Sequence, residues 1–407
     1  MLRDRRISAL LVAEVISMTG SQMTWLALPW FVLVTSGSAT RMTLVVGAEL
    51  VGLGLLGLPG GKLLGRLGAW RAMVVCDGVR APLMLIIPVL HWAGLLSLGA
   101  FLTLAFALGA LSAPYFAAQK MIVPELLGED ESLVGRASAL FQGATRLTML
   151  LGPVLGGVLI SVLSAPAVLV VDAITYAVAA TLVAVFVPRR KPRHATGDEL
   201  SVRRGVRFLV RERLLRVWTP VFAIGDAAWT AFFVSVPVLV VTRFDADPRV
   251  AGWLLASFGA GAVAGNVVAY RLLAGRVRGY SVIAACVLGQ ALPLWFLTLS
   301  FPAGAYAAAL AVSGLANGIV NPSIHALMTL RIPPALRPTV MTGMTVVFAL
   351  VQPIGVFGAG PILDAFGPQP VLVVFAAVQT GAMAAIALTA YRARGHAERL
   401  SAVSEPA

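Results

Sequence analysis

The chain is a run of apolar stretches about 20 to 28 residues long, divided by short polar breaks, and that length restricts what it can fold into. At 1.5 Å per residue such a helix crosses a ~30 Å hydrocarbon core, whereas helices in soluble cores are usually shorter. Only 12% of the 407 residues are charged and 59% are hydrophobic, with a mean hydropathy of +0.90. A soluble domain covers its surface with roughly 25% charge, so this chain would precipitate in water. Its 40 glycines and 24 prolines would be costly in a soluble helical protein. In a membrane, packed neighbours re-satisfy the backbone groups that such residues free.

The expected fold class is an all-α integral membrane protein with twelve transmembrane helices. They fall near 8–36, 42–64, 72–91, 97–119, 137–163 and 166–187, then 216–242, 249–273, 280–300, 304–330, 339–363 and 368–391. Six spans on each side of one polar connector predict two pseudo-symmetric six-helix bundles, 1–187 and 216–391. Between them lies a cytoplasmic basic linker, 188–215, whose later part reads as a surface helix, and a cytoplasmic tail, 392–407, follows. Two echoes support duplication. Gly20 to Trp25 in the first span resembles Gly225 to Trp229 in the seventh, and Val123-Pro124 precedes Gly152-Pro153 much as Ile332-Pro333 precedes Gly360-Pro361.

The net charge of +13 suggests nucleic acid until position is considered. Of the 31 Lys and Arg, 26 fall in segments that this topology puts on one face, ten of them in 189–216. The other face holds Arg41, Arg243 and Arg249, and Arg80 and Arg146 fall inside spans. This is the positive-inside pattern, with both termini cytoplasmic, and the basic excess meets anionic lipid rather than nucleic acid. Arginine-rich, alanine-rich composition suggests a GC-rich bacterial genome and hence the inner membrane. Cys76 and Cys286 lie in different spans with no disulfide framework, and the four histidines lack ligand spacing, so no metal is expected. No phosphate-binding glycine loop and no nucleophile–base constellation is present, which argues against an ATPase or other enzyme and against a cofactor.

Gly152-Pro153-Val154-Leu155-Gly156-Gly157 lies in the fifth span. Gly152 and Gly156 share a helix face on which a neighbouring backbone can approach closely, and Pro153 removes one hydrogen bond and permits a bend. The stretch resembles the GPxxGG antiporter motif of the major facilitator superfamily, as found in its drug–proton antiporters. A second motif of that family, typically GxLaDrxGrrxxl, is similar to 61–73, where Gly61, Leu63, Arg66, Gly68 and Arg71 match and Gly65 stands at the acidic position. In the family that carboxylate helps hold the cytoplasmic gate closed. Ser17 to Trp30 resembles the GDxxTxxALPW pattern of the macrolide and siderophore exporter branch, with Ser21 in place of its aspartate. Leu330 to Arg337, and Gly355 to Gly367 with Asp364, are similar to that branch's loop after helix 10 and its helix 11 ending. The resemblance implies the major facilitator fold, a monomer, and two bundles that rock about a midplane site.

A carboxylate at helix centre costs roughly 2.5–3.5 kcal/mol on insertion scales, so each one needs a partner, a proton or a water cavity. Glu14, Glu49, Asp77, Asp172 and Asp226 all fall within spans. Glu49 and Asp226 lie nearest the midplane without a partner within a turn, and with Glu14 they are the candidates for proton coupling. Glu14 pairs with Arg146 or binds a proton. Asp77 and Arg80, three apart, read as a structural ion pair, and Asp172 as a hydrogen-bonding group near a helix end. An amphipathic cargo would meet Trp25, Trp229 and Phe233, with Gln22, Asn317, Asn321 and Gln352 supplying hydrogen bonds; each aromatic has helix packing or lipid contact as its plainer role. The expected function is export of drug-like amphipathic molecules by proton antiport. The alternatives are a facilitator or importer of a dedicated metabolite or siderophore, or a non-transporting membrane sensor or scaffold.

Overall fold

The computed structural model describes residues 5–127, 131–189, 202–212, 214–274, 283, 287–333 and 336–404. They contain no strand. The helices are α1 (Arg5–Ser36), α2 (Ala39–Leu67), α3 (Ala69–Trp92), α4 (Leu98–Leu127), α5 (Glu131–Leu163) and α6 (Ala165–Phe186). Then come a short α7 (Val202–Arg211), α8 (Leu215–Arg243) and α9 (Pro248–Ala274), the shorter α10 (Val287–Thr298), and α11 (Ala303–Arg331), α12 (Arg337–Phe366) and α13 (Pro368–Ser404). Among the described residues nine helices are long and apolar enough to cross a membrane. Large apolar side chains such as Trp92, Val185, Leu350 and Phe366 point outward, more than half exposed, as lipid-facing positions require.

Three elements differ from expectation. The expected span 280–300 is described only from Val287, apart from Ile283, and its last seven residues, Leu292–Thr298, tighten into a 3₁₀ helix. Pro293 near the start of that turn has no N–H to donate, which favours the change of winding. No break separates the last span from the tail, because α13 runs on to Ser404. The linker helix spans Val202–Arg211, and the rest of 190–201 lies outside the described residues.

The chain divides into two compact units. The first comprises 1–196 together with 236–253 and 356–365; the second comprises 197–235, 254–355 and 366–407. The end of α8, the start of α9 and the end of α12 thus belong with the first six helices. The reason is close packing. A Cβ at Gly157 would lie 2.6 Å from the Pro248 carbonyl oxygen, and one at Gly252 would lie 2.5 Å from that of Pro153. Gly360 sits directly on Thr43, and Gly47 on the Phe357 ring.

Each unit repeats one packing device. In the first, Gly52 faces the Phe106 carbonyl and Gly109 the Glu49 carbonyl, so the backbones of α2 and α4 touch. In the second, Gly261 and Gly265 face Ala311 and Leu315, while Gly314 and Gly318 face Phe258 and Ala262, so α9 and α11 touch likewise. Small residues at such crossings supply the van der Waals contact that holds helices together where no hydrophobic drive exists. Between α2 and α3 the turn is the single residue Gly68, with φ 78°, a conformation that side chains rarely adopt.

Candidate functional site

Arg80 on α3 is the centre of the first unit's polar core. It is 5% exposed, and its guanidinium donates to Asp77 at 3.3 Å and to the Tyr176 hydroxyl at 2.6 Å. The same guanidinium lies 4.1 Å from the Tyr176 ring centre and 5.5 Å from that of Tyr115. Its Nε has no hydrogen-bond partner among the described residues. A buried ion pair gains little net stability, but removing one member leaves a charge without compensation, so the arrangement is fixed in place. Around it α1 and α6 are joined by hydroxyls. Ser21 Oγ and Tyr176 OH are 2.9 Å apart, and Thr24 Oγ1 donates to Asp172 at 2.6 Å. Thr175 donates to the other Asp172 oxygen at 3.0 Å, and Gly20 leaves room for that contact. Asp172 therefore bridges two helices, with no exposure at all, rather than capping an end.

Glu49 and Arg80 line one cavity with Ser21, Thr24, Trp25 and Ser112. Its volume is about 90 Å³, several times the roughly 10–15 Å³ that one water needs by the same measure. The walls combine apolar groups such as Leu28, Met84 and Phe116 with these few polar ones, and Trp25 is 52% exposed. Glu49 reaches this cavity because Gly109 allows its backbone to lie against α4. Its charged neighbours are Arg80 and Asp172, on other helices. Arg146 is exposed on α5, whereas Glu14 is buried among other groups. It is 3% exposed, faces Gln119 and Asp77, and one carboxylate oxygen has no partner among the described residues.

In the second unit Asp226 on α8 accepts a hydrogen bond from Gln352 on α12, and Gly355 one turn on packs against the Ala227 carbonyl. The two residues read from the sequence as a proton carrier and a cargo contact are thus bonded to each other. Asn321 donates to Asn317 at 3.0 Å along α11. Trp229 stands among four phenylalanines: Phe258 and Phe375 at 4.4 and 4.9 Å between ring centres, Phe232 and Phe233 at 5.6 and 5.8 Å. Such spacing is that of aromatic packing, and it ties α8, α9 and α13 together.

The 152–157 motif contacts two partners. Gly152 lies against Gln22, Gly156 against the Met23 backbone, and Gly157 against Pro248. Gln22 is therefore turned toward α5. In the 61–73 motif Gly68 makes the tight turn and Arg71 is half-buried, Gly61 lies within α2, and the Arg66 side chain lies outside the described residues. No role was legible in the sequence for Tyr176, Thr24 or Ser112, and Ser21 was marked only as standing where the branch pattern has an aspartate. Asp172 and Tyr176 are one turn apart on α6, and that polar stripe on an apolar helix was the available signal.

The family profile described as Major Facilitator Superfamily matches residues 10–356 and 219–405. The multidrug efflux pump Tap of Mycobacterium tuberculosis is 25% identical over 372 residues, 88% of this chain and 87% of that protein. The Tap protein of Mycolicibacterium fortuitum is 25% identical over 368 residues, 88% and 89% of the two chains. The uncharacterized MFS-type transporter YvqJ of Bacillus subtilis is 22% identical over 413 residues, 98% and 96%. Among solved structures the fold is similar to the nucleoside transporter NupG, with TM-score 0.73 at 12% identity over 95% of this chain and 98% of that one. It is also similar to the D-xylose-proton symporter, with TM-score 0.70 at 13% identity over 94% and 97%.

Proposed function

Since the chain belongs to the major facilitator superfamily, we propose that it exports amphipathic, drug-like small molecules across the bacterial inner membrane in exchange for protons. One observation carries this reading: a carboxylate, Glu49, shares a largely apolar cavity with a buried arginine and an exposed tryptophan. An amphipathic molecule needs apolar walls with few polar groups, and antiport needs an ionisable group that cargo and proton both reach. Glu49 is the proposed proton carrier, with Asp226 as a second one released from Gln352 during the cycle. Glu14 is the proposed third, on the route between Glu49 and the cytoplasm. Trp25 is the proposed cargo contact in the first unit, and Asn317, Asn321 and Gln352 those in the second.

The likeness to pumps named for multidrug efflux supports export. Alternating exposure of the site, by rocking of one repeat against the other, needs no nucleotide and no cofactor. Entry of one proton at ~150 mV supplies about 3.5 kcal/mol, which sustains a gradient of a few hundredfold for a neutral cargo. The proposed working form is a monomer with both termini in the cytoplasm.

The test is dye uptake into everted membrane vesicles energised by respiration. Uptake is expected to stop when an uncoupler is added; transport that ignores the uncoupler would refute antiport and leave a facilitator. Glu49→Gln is expected to lower the initial rate at least about tenfold, the range in which one proton-transfer group acts, and to abolish its pH dependence. Asp226→Asn is expected to weaken that dependence. Unchanged pH profiles in both variants would remove these residues from the coupling.

A further inference from the structure

The polar bonds at the start of α2 come from two places. Its first turn contains no acidic residue. Ser38 caps it locally, since its Oγ accepts from the Arg41 N–H at 3.3 Å. The N–H groups of Ala39 and Thr40 are bonded instead by Asp364, at 2.6 and 2.9 Å, from the far end of α12. The Ser38 hydroxyl donates to the same carboxylate at 2.9 Å. Gly360, one turn earlier, rests on Thr40 and Thr43, and Phe357 on Gly47. These groups form one seam within the first unit, and the charge sits at the positive end of a 29-residue helix.

We infer that Asp364 is a positioning residue of the transport cycle, a latch that holds the α2–α12 seam closed at the outer side when the protein is empty. The first-turn N–H groups of a helix lack partners within it, and charge-assisted bonds to them are the strong kind. Here that partner is present only while the end of α12 lies on the start of α2. The opposite end of α2 carries Gly65 where the resembling motif has its gate carboxylate. The chain thus has its carboxylate latch at the other end of the helix. The inference rests on alternating access in this family and not on the nature of the cargo.

Cysteine reporters in a Cys76→Ala, Cys286→Ala background test it, with a membrane-impermeant maleimide on intact cells and no cargo or imposed gradient. Thr43→Cys reports the seam, since Thr43 is 1% exposed. Pro248→Cys reports the separate α5–α9 contact, and Gly94→Cys, in an exposed turn, confirms sidedness and amount. In Asp364→Asn both buried reporters are expected to label about tenfold faster, the shift that about 1.4 kcal/mol of lost capping gives. Unchanged rates would overturn the inference. So would a rise at Thr43→Cys alone, which is local fraying of a structural cap. If Asp364→Asn does not reach the membrane, Ser38→Ala is read in the same way: a smaller rise at both reporters supports the latch, and none overturns it. Failure of proton-driven export would leave these rates untouched, so the two proposals fail separately.

Discussion

Arg80→Ala will lower stability by about 3–5 kcal/mol, the range for removing one member of a buried ion pair. It leaves Asp77, 2% exposed, without its counter-charge, and strips the Tyr176 hydroxyl and ring of their cation. Thermal unfolding of the purified protein in detergent, followed by tryptophan fluorescence, measures it. Adding Asp77→Asn to the same chain is expected to recover about half of the loss, because neighbouring substitutions in one network do not add. A single variant that unfolds with the parent would show that the pair is dispensable. A double variant no better than the single would place the loss in the tyrosine contacts alone.

Gly109→Val will abolish transport with a much smaller effect on stability. The added Cβ falls on the Glu49 carbonyl oxygen, so α2 must move away from α4 and take the Glu49 carboxylate with it. Overpacking of this kind costs about 1–3 kcal/mol. A displacement of about 1 Å at a working group can cost about 100-fold in rate. Gly99→Val, on the same helix with open space around it, is the control and is expected to transport normally. Initial efflux rates at matched protein amounts decide the matter. Equal rates in the two variants would show that the position of Glu49 is unimportant.

Much of the architecture was legible because bilayer thickness fixes helix length. The helices from α1 to α6 begin and end within a few residues of expectation, except where α4 runs on at its end and α5 starts earlier. The Asp77–Arg80 spacing was legible too, since positions three apart on a helix are neighbours whatever the fold. Illegible was everything that joins residues far apart in the chain. Ser21 with Tyr176, Thr24 with Asp172, Asp226 with Gln352 and Asp364 with the start of α2 are separated by 126 to 326 positions. Hydropathy carries no signal of such pairings. The role of glycine was half legible: the 152–157 motif announced close packing, but nothing announced that Gly109 sets the place of a carboxylate on another helix.

The one-residue elbow at Gly68 has its own consequence. With no slack between α2 and α3, a shift at one helix end is passed to the other, although along their lengths they lie against different neighbours, α2 against α4 and α3 against α6. Glu49 on α2 and the Asp77–Arg80 pair on α3 are therefore tied at one point and guided separately beyond it.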